Sequence, residues 1–332
     1  MKIVILSLSN VLIIGAGGKM GSWFFRYFIY LRDQHENHLK VTKKITKKKY
    51  VNLDKIFLVD SKRIDNIDGF KDRKVYFSQH FSDFIKDSNI IVFCTPAEVT
   101  IRLLRNLVKT IKPGTTIIEV SSIKNQIHKK LSMYSNNQKY IQFISIHPMF
   151  GPGALVNSNS NIILHVPIES SKRLQETKLV KKIFPEFKII KMANADNHDS
   201  LVSIMVSLIY FINLVFSKML IDTTEKYNSK RRKVDLKFLK QISGSSYKVQ
   251  SMLSESILTD DSSLFAGLFL SSPTSISIIR KYGKMYSELT TMLTKPNKKN
   301  LENYVTNVKK KVSTQIDLDE SYSTLYKFLN KG

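Results

Sequence analysis

The sequence predicts an α/β fold: a doubly wound domain built on a parallel sheet, followed by an all-helical domain. Three observations carry this. In the first half, short apolar runs alternate with amphipathic stretches, the pattern of βαβ units whose strands are buried on both faces. A glycine-rich turn, "GAGGKMG" (Gly15–Gly21), stands between the first apolar run and the first amphipathic stretch. After about Ala193, long helical periodicity takes over and continues to Leu329. The 332 residues, 42% of them hydrophobic, suffice for two domains with real cores. The expected division is 1–180 for the sheet domain and 181–332 for the helical one.

Taken in order, Asn10–Gly15 ("NVLIIG") reads as the first strand and Met20–Asp33 as the helix after it. The lysine-rich stretch from about Gln34 to Leu53 interrupts the unit and reads as a surface insertion. Lys55–Ser61 is the second strand, Ser82–Ser88 a short helix, Asn89–Pro96 another strand, and Val99–Gly114 a helix closed by Pro-Gly. Thr115–Ser122 and Tyr140–Pro148 are two more strands; Asn161–Ile168 and Phe187–Met192 extend the sheet. In the second domain, Asn194–Asp222 and Leu236–Leu258 read as helices, with further helices to Leu329. There is no internal repeat.

The formal net charge is +25, a balance that suits nucleic acid, membrane surfaces or anionic substrates. The lysines cluster in Val41–Tyr50, Ser229–Lys233, Lys295–Asn300 and Val308–Val312, in loops and on polar helix faces, with no interleaved aromatics. They read as solvated surface, so neither nucleic acid nor membrane is expected as a partner. The single cysteine, Cys94, permits no intrachain disulfide and argues against a thiolate metal site; a reducing, cytoplasmic location is expected, with no metal.

Two stretches imitate membrane signals. The N-terminus, "MKIVILSLSNVLIIGAGG", resembles a short signal peptide, but Asn10 interrupts the apolar run and the glycines belong to the turn. Leu201–Leu220 is long enough to span a bilayer. Ser200, Ser203, Ser207, Tyr210, Asn213 and Ser217 recur at helical spacing and make one polar stripe, which fits a helix buried between subunits better.

In an open parallel sheet, ligands bind beyond the carboxyl ends of the strands, so the residues just past each strand are the candidates. Past the first lie Gly15, Ala16, Gly17, Gly18, Lys19, Met20 and Gly21. Two registers compete for a dinucleotide fingerprint: Gly15, Gly17 and Met20, or Ala16, Gly18 and Gly21. Either opens a helix whose N-terminal amides can hold a pyrophosphate. Past the second lies Asp60, placed to bond adenosine ribose hydroxyls, which favours NAD; Lys62 and Arg63 could instead meet a 2′-phosphate, which leaves NADP open. Past the next lie Cys94, Thr95 and Pro96, a wall beside the nicotinamide ribose. After "TTIIEV" come Ser121, Ser122 and Lys124, and after "YIQFISI" comes His147. Any one of these could be purely structural; a phosphate turn, an acid, hydroxyls and an imidazole at one sheet edge point to catalysis.

Four segments, "IIGAGGKMGSWF", "EVSSIK", "SIHPMFGPGA" and "NHDSLVSIM", together resemble the prephenate/arogenate dehydrogenase family, over nearly the whole chain from Asn10 apart from the lysine-rich insertions. "HPMFGP" after "SSIK" is the specific part of the match. The resemblance implies a Rossmann-type nicotinamide-binding domain, a helical dimerisation domain and a homodimer. It also implies oxidative decarboxylation of prephenate to 4-hydroxyphenylpyruvate, or of arogenate to tyrosine. On this resemblance His147 matches the catalytic histidine, which accepts the substrate hydroxyl's proton as hydride leaves. Ser122 matches the serine that orients that hydroxyl and the histidine. Lys124 matches a lysine read as structural or weakly electrostatic, and His198 a residue that either lines the cleft or serves as a cap and hinge.

The chain departs from the family in two places. Ser256 stands where a carboxylate-binding arginine is usual, and Tyr210 where a histidine is often found. Losing a bidentate guanidinium leaves Lys248, Arg231, Arg232 and Arg280 as replacement cations, or implies a different small acid as substrate. A non-catalytic dinucleotide-binding regulator is the reading from another class.

Overall fold

The computed structural model describes residues 9–41 (side chains to 34), 51–64, 73–138, 140–169, 171–228, 234–294 and 297–330. The lysine-rich segment 42–50 and residues 229–233, with Arg231 and Arg232, lie outside the described residues. So do residues 1–8 of the signal-like N-terminus.

The chain divides into two compact units, Met1–Val202 and Ser203–Gly332. The first holds an eight-stranded sheet in the order β3-β2-β1-β4-β5-β6-β7-β8. The strands are β1 (Ser9–Ile14), β2 (Leu53–Val59), β3 (Val75–Ser78), β4 (Ile90–Phe93), β5 (Thr116–Glu119), β6 (Gln142–Pro148), β7 (Ile162–Val166) and β8 (Lys188–Lys191). Among the described residues, five α-helices accompany them: α1 (Lys19–Val41), α2 (Ala97–Leu107), α3 (Asn125–Asn137), α4 (Arg173–Ile183) and α5 (Ala195–Val202). The order reverses on either side of β1, as a doubly wound sheet requires.

The boundary expected at residue 180 falls inside α4. Because β8 pairs with β7, the first unit runs on to Val202. The sheet is also not wholly parallel: β7 runs antiparallel to β6. No helix separates these two strands, and without a crossover the chain can return only in the opposite direction. Between β7 and β8 the helix α4 supplies the crossover, and that pair is parallel.

Alternation along each strand sorts the core into two layers. Val11 and Ile13 of β1 face a cluster with Trp23, Phe24, Tyr27 and Phe28 of α1 and with Val180 and Phe184. Leu12 and Ile14 face the other side, with Leu104 and Leu107 of α2 and Ile127 and Leu131 of α3. All of these are fully or nearly fully buried. The aromatic layer also ties down the chain after β6. Trp23 Nε1 donates to Ala154 O at 2.8 Å, Arg26 to Pro152 O at 2.7 Å, and Phe150 packs on Trp23 with ring centroids 4.7 Å apart.

The second unit is helical: α6 (Leu208–Asn228), α7 (Leu236–Ile242), α8 (Ser245–Leu258), α9 (Ser262–Leu270), α10 (Pro273–Thr294), α11 (Lys298–Ser313) and α12 (Leu318–Leu329). The helix expected over Leu236–Leu258 is two helices, broken where Ser243 and Gly244 are extended. Ahead of α6, Ser203–Ser207 is a π-helical turn, so Ala195–Tyr227 forms one helical run, apolar and long enough to cross a membrane. Its polar stripe is used internally. Asn213 Oδ1 accepts from Gln250 Nε2 at 2.8 Å and Ser254 Oγ at 2.6 Å, and Ser207 Oγ donates to Leu268 O at 3.0 Å. Buried polar groups joined in this way set the register of packed helices.

Candidate active site

Strand register brings the expected residues of the first unit to one edge. Val59, Ile14, Phe93, Glu119 and Ser145 form one row across β2, β1, β4, β5 and β6. One or two residues beyond that row lie Asp60, the glycine turn, Thr95, Ser121 and His147. At about 4.8 Å per strand, β1 and β6 are roughly 14 Å apart, so the turn and the imidazole lie within the span of one dinucleotide.

The glycine turn follows neither of the competing registers alone. Gly15 has φ +85°, and a Cβ there would meet Cys94 O at 2.7 Å; a Cβ at Gly21 would meet Gly15 O at 2.0 Å. The two constrained glycines therefore come one from each register: Gly15 makes the turn and Gly21 lets α1 sit on it. Ala16 is buried, Met20 packs on the core, and Gly17, Gly18 and Lys19 are exposed. The Gly17 N–H donates to Asp60 Oδ2 at 2.9 Å, and the Lys62 N–H to Asp60 Oδ1 at 3.1 Å. Cys94 is a half-buried thiol whose pKa burial pushes up, and its backbone covers Gly15. Thr95 Oγ1 bonds Thr100 Oγ1 at 2.8 Å, and Pro96 precedes the first turn of α2.

His147, at the end of β6, is 6% exposed. Its Nδ1 lies 3.1 Å from Nε2 of His198, and His198 Nδ1 lies 2.8 Å from Asp199 Oδ1. His198 and Asp199 are buried in α5. Burial holds the pKa of His147 well below the ordinary histidine value, helped by the positive charge of Lys124 and by His198. Burial also lowers His198, against the opposing pull of Asp199. Both rings are therefore neutral near pH 7. Among the described residues, Nε2 of His147 has no hydrogen-bond partner and is not sealed in.

Two candidate residues past β5, Lys124 and Ser121, are engaged within the fold. Lys124 is 0% exposed; Nζ donates to Glu119 Oε1 at 3.0 Å, Glu119 Oε2 at 2.9 Å and Ile146 O at 2.6 Å. Burial lowers its pKa, but three acceptors for three hydrogens keep it an ammonium, and nothing remains for a substrate. Ser121 likewise turns inward, its N–H and hydroxyl both on Glu119 Oε1. Ser122 is half-buried and makes no hydrogen bond among the described residues, whereas His147 Nδ1 is bonded to His198.

In the second unit, Tyr210 donates its hydroxyl to Asp260 Oδ2 at 2.7 Å, and burial followed by that carboxylate raises its pKa. Ser256 is exposed on α8 and donates to Leu253 O at 2.8 Å. Lys248 and Arg280 are exposed. Sequence reasoning missed Glu119 and Asp199. The available signals were an acid ending an otherwise apolar strand, and an Asp beside a His.

A doubly wound sheet with a glycine turn, a carboxylate after β2 and a neutral imidazole in the next row defines a Rossmann-type dinucleotide-binding protein. Residues 25–183 match the family model for the prephenate dehydrogenase nucleotide-binding domain. The match begins just after the glycine turn. The chain is 22% identical over 265 residues to a probable arogenate/prephenate dehydrogenase of Methanocaldococcus jannaschii, covering 80% of this chain and 52% of that protein. It thus spans about half the length of that curated relative. Among solved structures, the fold is shared with Aquifex aeolicus prephenate dehydrogenase in complex with hydroxyphenyl propionate and NAD+ (TM-score 0.67, 17% identity, 93% of this chain and 99% of that one). It is shared too with Synechocystis arogenate dehydrogenase (TM-score 0.58, 16% identity, 92% and 100%).

Proposed function

We propose that this chain is a nicotinamide-dependent dehydrogenase that oxidatively decarboxylates prephenate or arogenate in tyrosine biosynthesis, with NAD preferred over NADP. The observation that carries this reading is His147: a buried, neutral imidazole in the sheet-edge row that begins at the glycine turn, with Nδ1 engaged and Nε2 open.

The residues present fit the cofactor. The turn is too tight for side chains at Gly15 and Gly21, and Gly17 packs close against the Asp60 carboxylate. The N-terminus of α1 would hold the pyrophosphate, and Asp60 the adenosine ribose hydroxyls. When bound, the nicotinamide supplies the hydride acceptor.

His147 Nε2 takes the proton of the ring hydroxyl as its carbon becomes a carbonyl, a task suited to a neutral histidine. Ser122 orients that hydroxyl. Loss of the ring carboxylate as carbon dioxide restores aromaticity, so the protein's part is orientation and proton acceptance.

The helical unit leaves Ile204, Met205, Ile209, Leu214, Val215 and Met219 exposed along one helix. A second copy of the chain covering them in a cytoplasmic homodimer would explain so apolar a surface; light scattering that gives the monomer mass would overturn this. The central test mixes prephenate or arogenate with NAD or NADP and monitors reduced cofactor. Formation of reduced cofactor with either substrate is expected. Tight NAD binding without turnover of either would favour another small acid or a non-catalytic role.

A further inference from the structure

Asp199, His198 and His147 form a line whose far end is fixed. Asp199 Oδ1 accepts the Lys124 N–H and Oδ2 the Asn125 N–H, each at 2.9 Å, so the carboxylate caps the start of α3 and is held from behind. Oδ1 also faces His198 Nδ1 at 2.8 Å. A carboxylate can only accept, so the hydrogen of the neutral His198 ring lies on Nδ1. Its Nε2 is then a lone pair. The atom 3.1 Å away, Nδ1 of His147, must donate to it. A neutral His147 with its hydrogen on Nδ1 has a bare Nε2.

We propose that Asp199 and His198 are positioning residues that fix His147 in the tautomer with Nε2 free to accept a proton. The proposal rests on the reading of His147 as the proton acceptor and adds which nitrogen is loaded and what sets it. The other tautomer would turn an N–H toward the substrate hydroxyl and could take no proton there. When His147 does accept the proton, both its nitrogens carry hydrogen. The Nδ1–H bond to His198 survives the step, so the ring need not turn.

The test is nitrogen NMR on the full-length protein with labelled imidazoles, near neutral pH. In the unmodified chain His147 should show a protonated Nδ1 and a bare Nε2. In His198→Leu, His147 should gain an Nε2–H population and kcat should fall roughly 100-fold with KM little changed, the low end of what proton transfer supplies. His198→Gln, whose carbonyl can still accept, should recover part of both. A merely structural His198 predicts an unaltered His147 tautomer in every variant that folds, and that result overturns the proposal. If His198→Leu fails to fold, the unmodified protein decides alone: hydrogen on Nε2 of His147 refutes the relay. The spectrum is independent of turnover. Nδ1–H without activity toward either substrate would support the relay and refute the assigned reaction, whereas activity with Nε2–H would do the reverse.

Discussion

Lys124 Nζ lies 2.9 Å from Glu119 Oε2, with the two side chains 0% and 1% exposed. Glu119 also accepts from Ser145 Oγ at 2.7 Å, and Lys124 donates to Ile146 O. The pair thus clamps the end of β5 and the start of α3 to the two residues before His147. Breaking a buried pair leaves one charge without compensation. Lys124→Met should cost about 3–5 kcal/mol, and Lys124→Met with Glu119→Leu much less. Urea unfolding of the three proteins checks this; equal losses in both variants would refute it.

Gly21→Ala should be severe although it adds a single methyl group. The Cβ would sit 2.0 Å from Gly15 O, and both partners are backbone of the turn. A loss of about 1–3 kcal/mol from overpacking is expected, together with weakened NAD binding. Gly114→Ala would meet nothing within 4 Å but has φ +85°, so it should show the backbone cost without the crowding.

His147→Asn should lower kcat by about 10²–10⁴-fold while NAD binding, measured by titration, stays within a few-fold. Loss of both together would mean that His147 maintains the fold rather than the reaction.

The histidines also set an acid limit. Burial holds His147 and His198 below the ordinary value of 6.5, so below that pH the unfolded chain binds protons that the folded chain refuses. Their contribution to stability is therefore full above 6.5, declines as pH falls toward the folded pKa values, and then levels off. The urea midpoint should be lower at about pH 5 than at about pH 7.5, and His147→Asn should flatten that dependence. Turnover should be level through neutrality and fall only in acid.

Asp60→Ala should weaken NAD more than NADP, since the carboxylate that favours ribose hydroxyls disfavours a 2′-phosphate. Its Oδ2 also holds the Gly17 amide, so some loss for both cofactors is expected. A preference for NADP in the unmodified protein would overturn the role given to Asp60.

The parts of the site that read clearly in the sequence are those fixed by local pattern. Apolar runs located β1, β2, β4, β5 and β6, and residue type at strand ends located Asp60 and His147. Direction and partnership were not local. Nothing in "NIILHVPI" states that β7 runs against β6; the missing helix between them dictates it. Ser121 and Lys124 look like available polar groups in "EVSSIK". They are spent on Glu119, the last residue of β5: Ser121 follows it by two residues and Lys124 stands just before α3. Asp199 was visible as a letter beside His198, but its grip on α3, 75 residues away from Lys124 in sequence, exists only in the folded chain.

Trp23 is the only tryptophan in the chain, fully buried and hydrogen-bonded to the segment that leaves His147. The protein therefore carries a built-in optical reporter on the latch between α1 and the His147 loop. Loss of the contacts to Ala154 and Phe150 would change the indole's surroundings, so the integrity of this segment can be followed by tryptophan emission without attaching a dye.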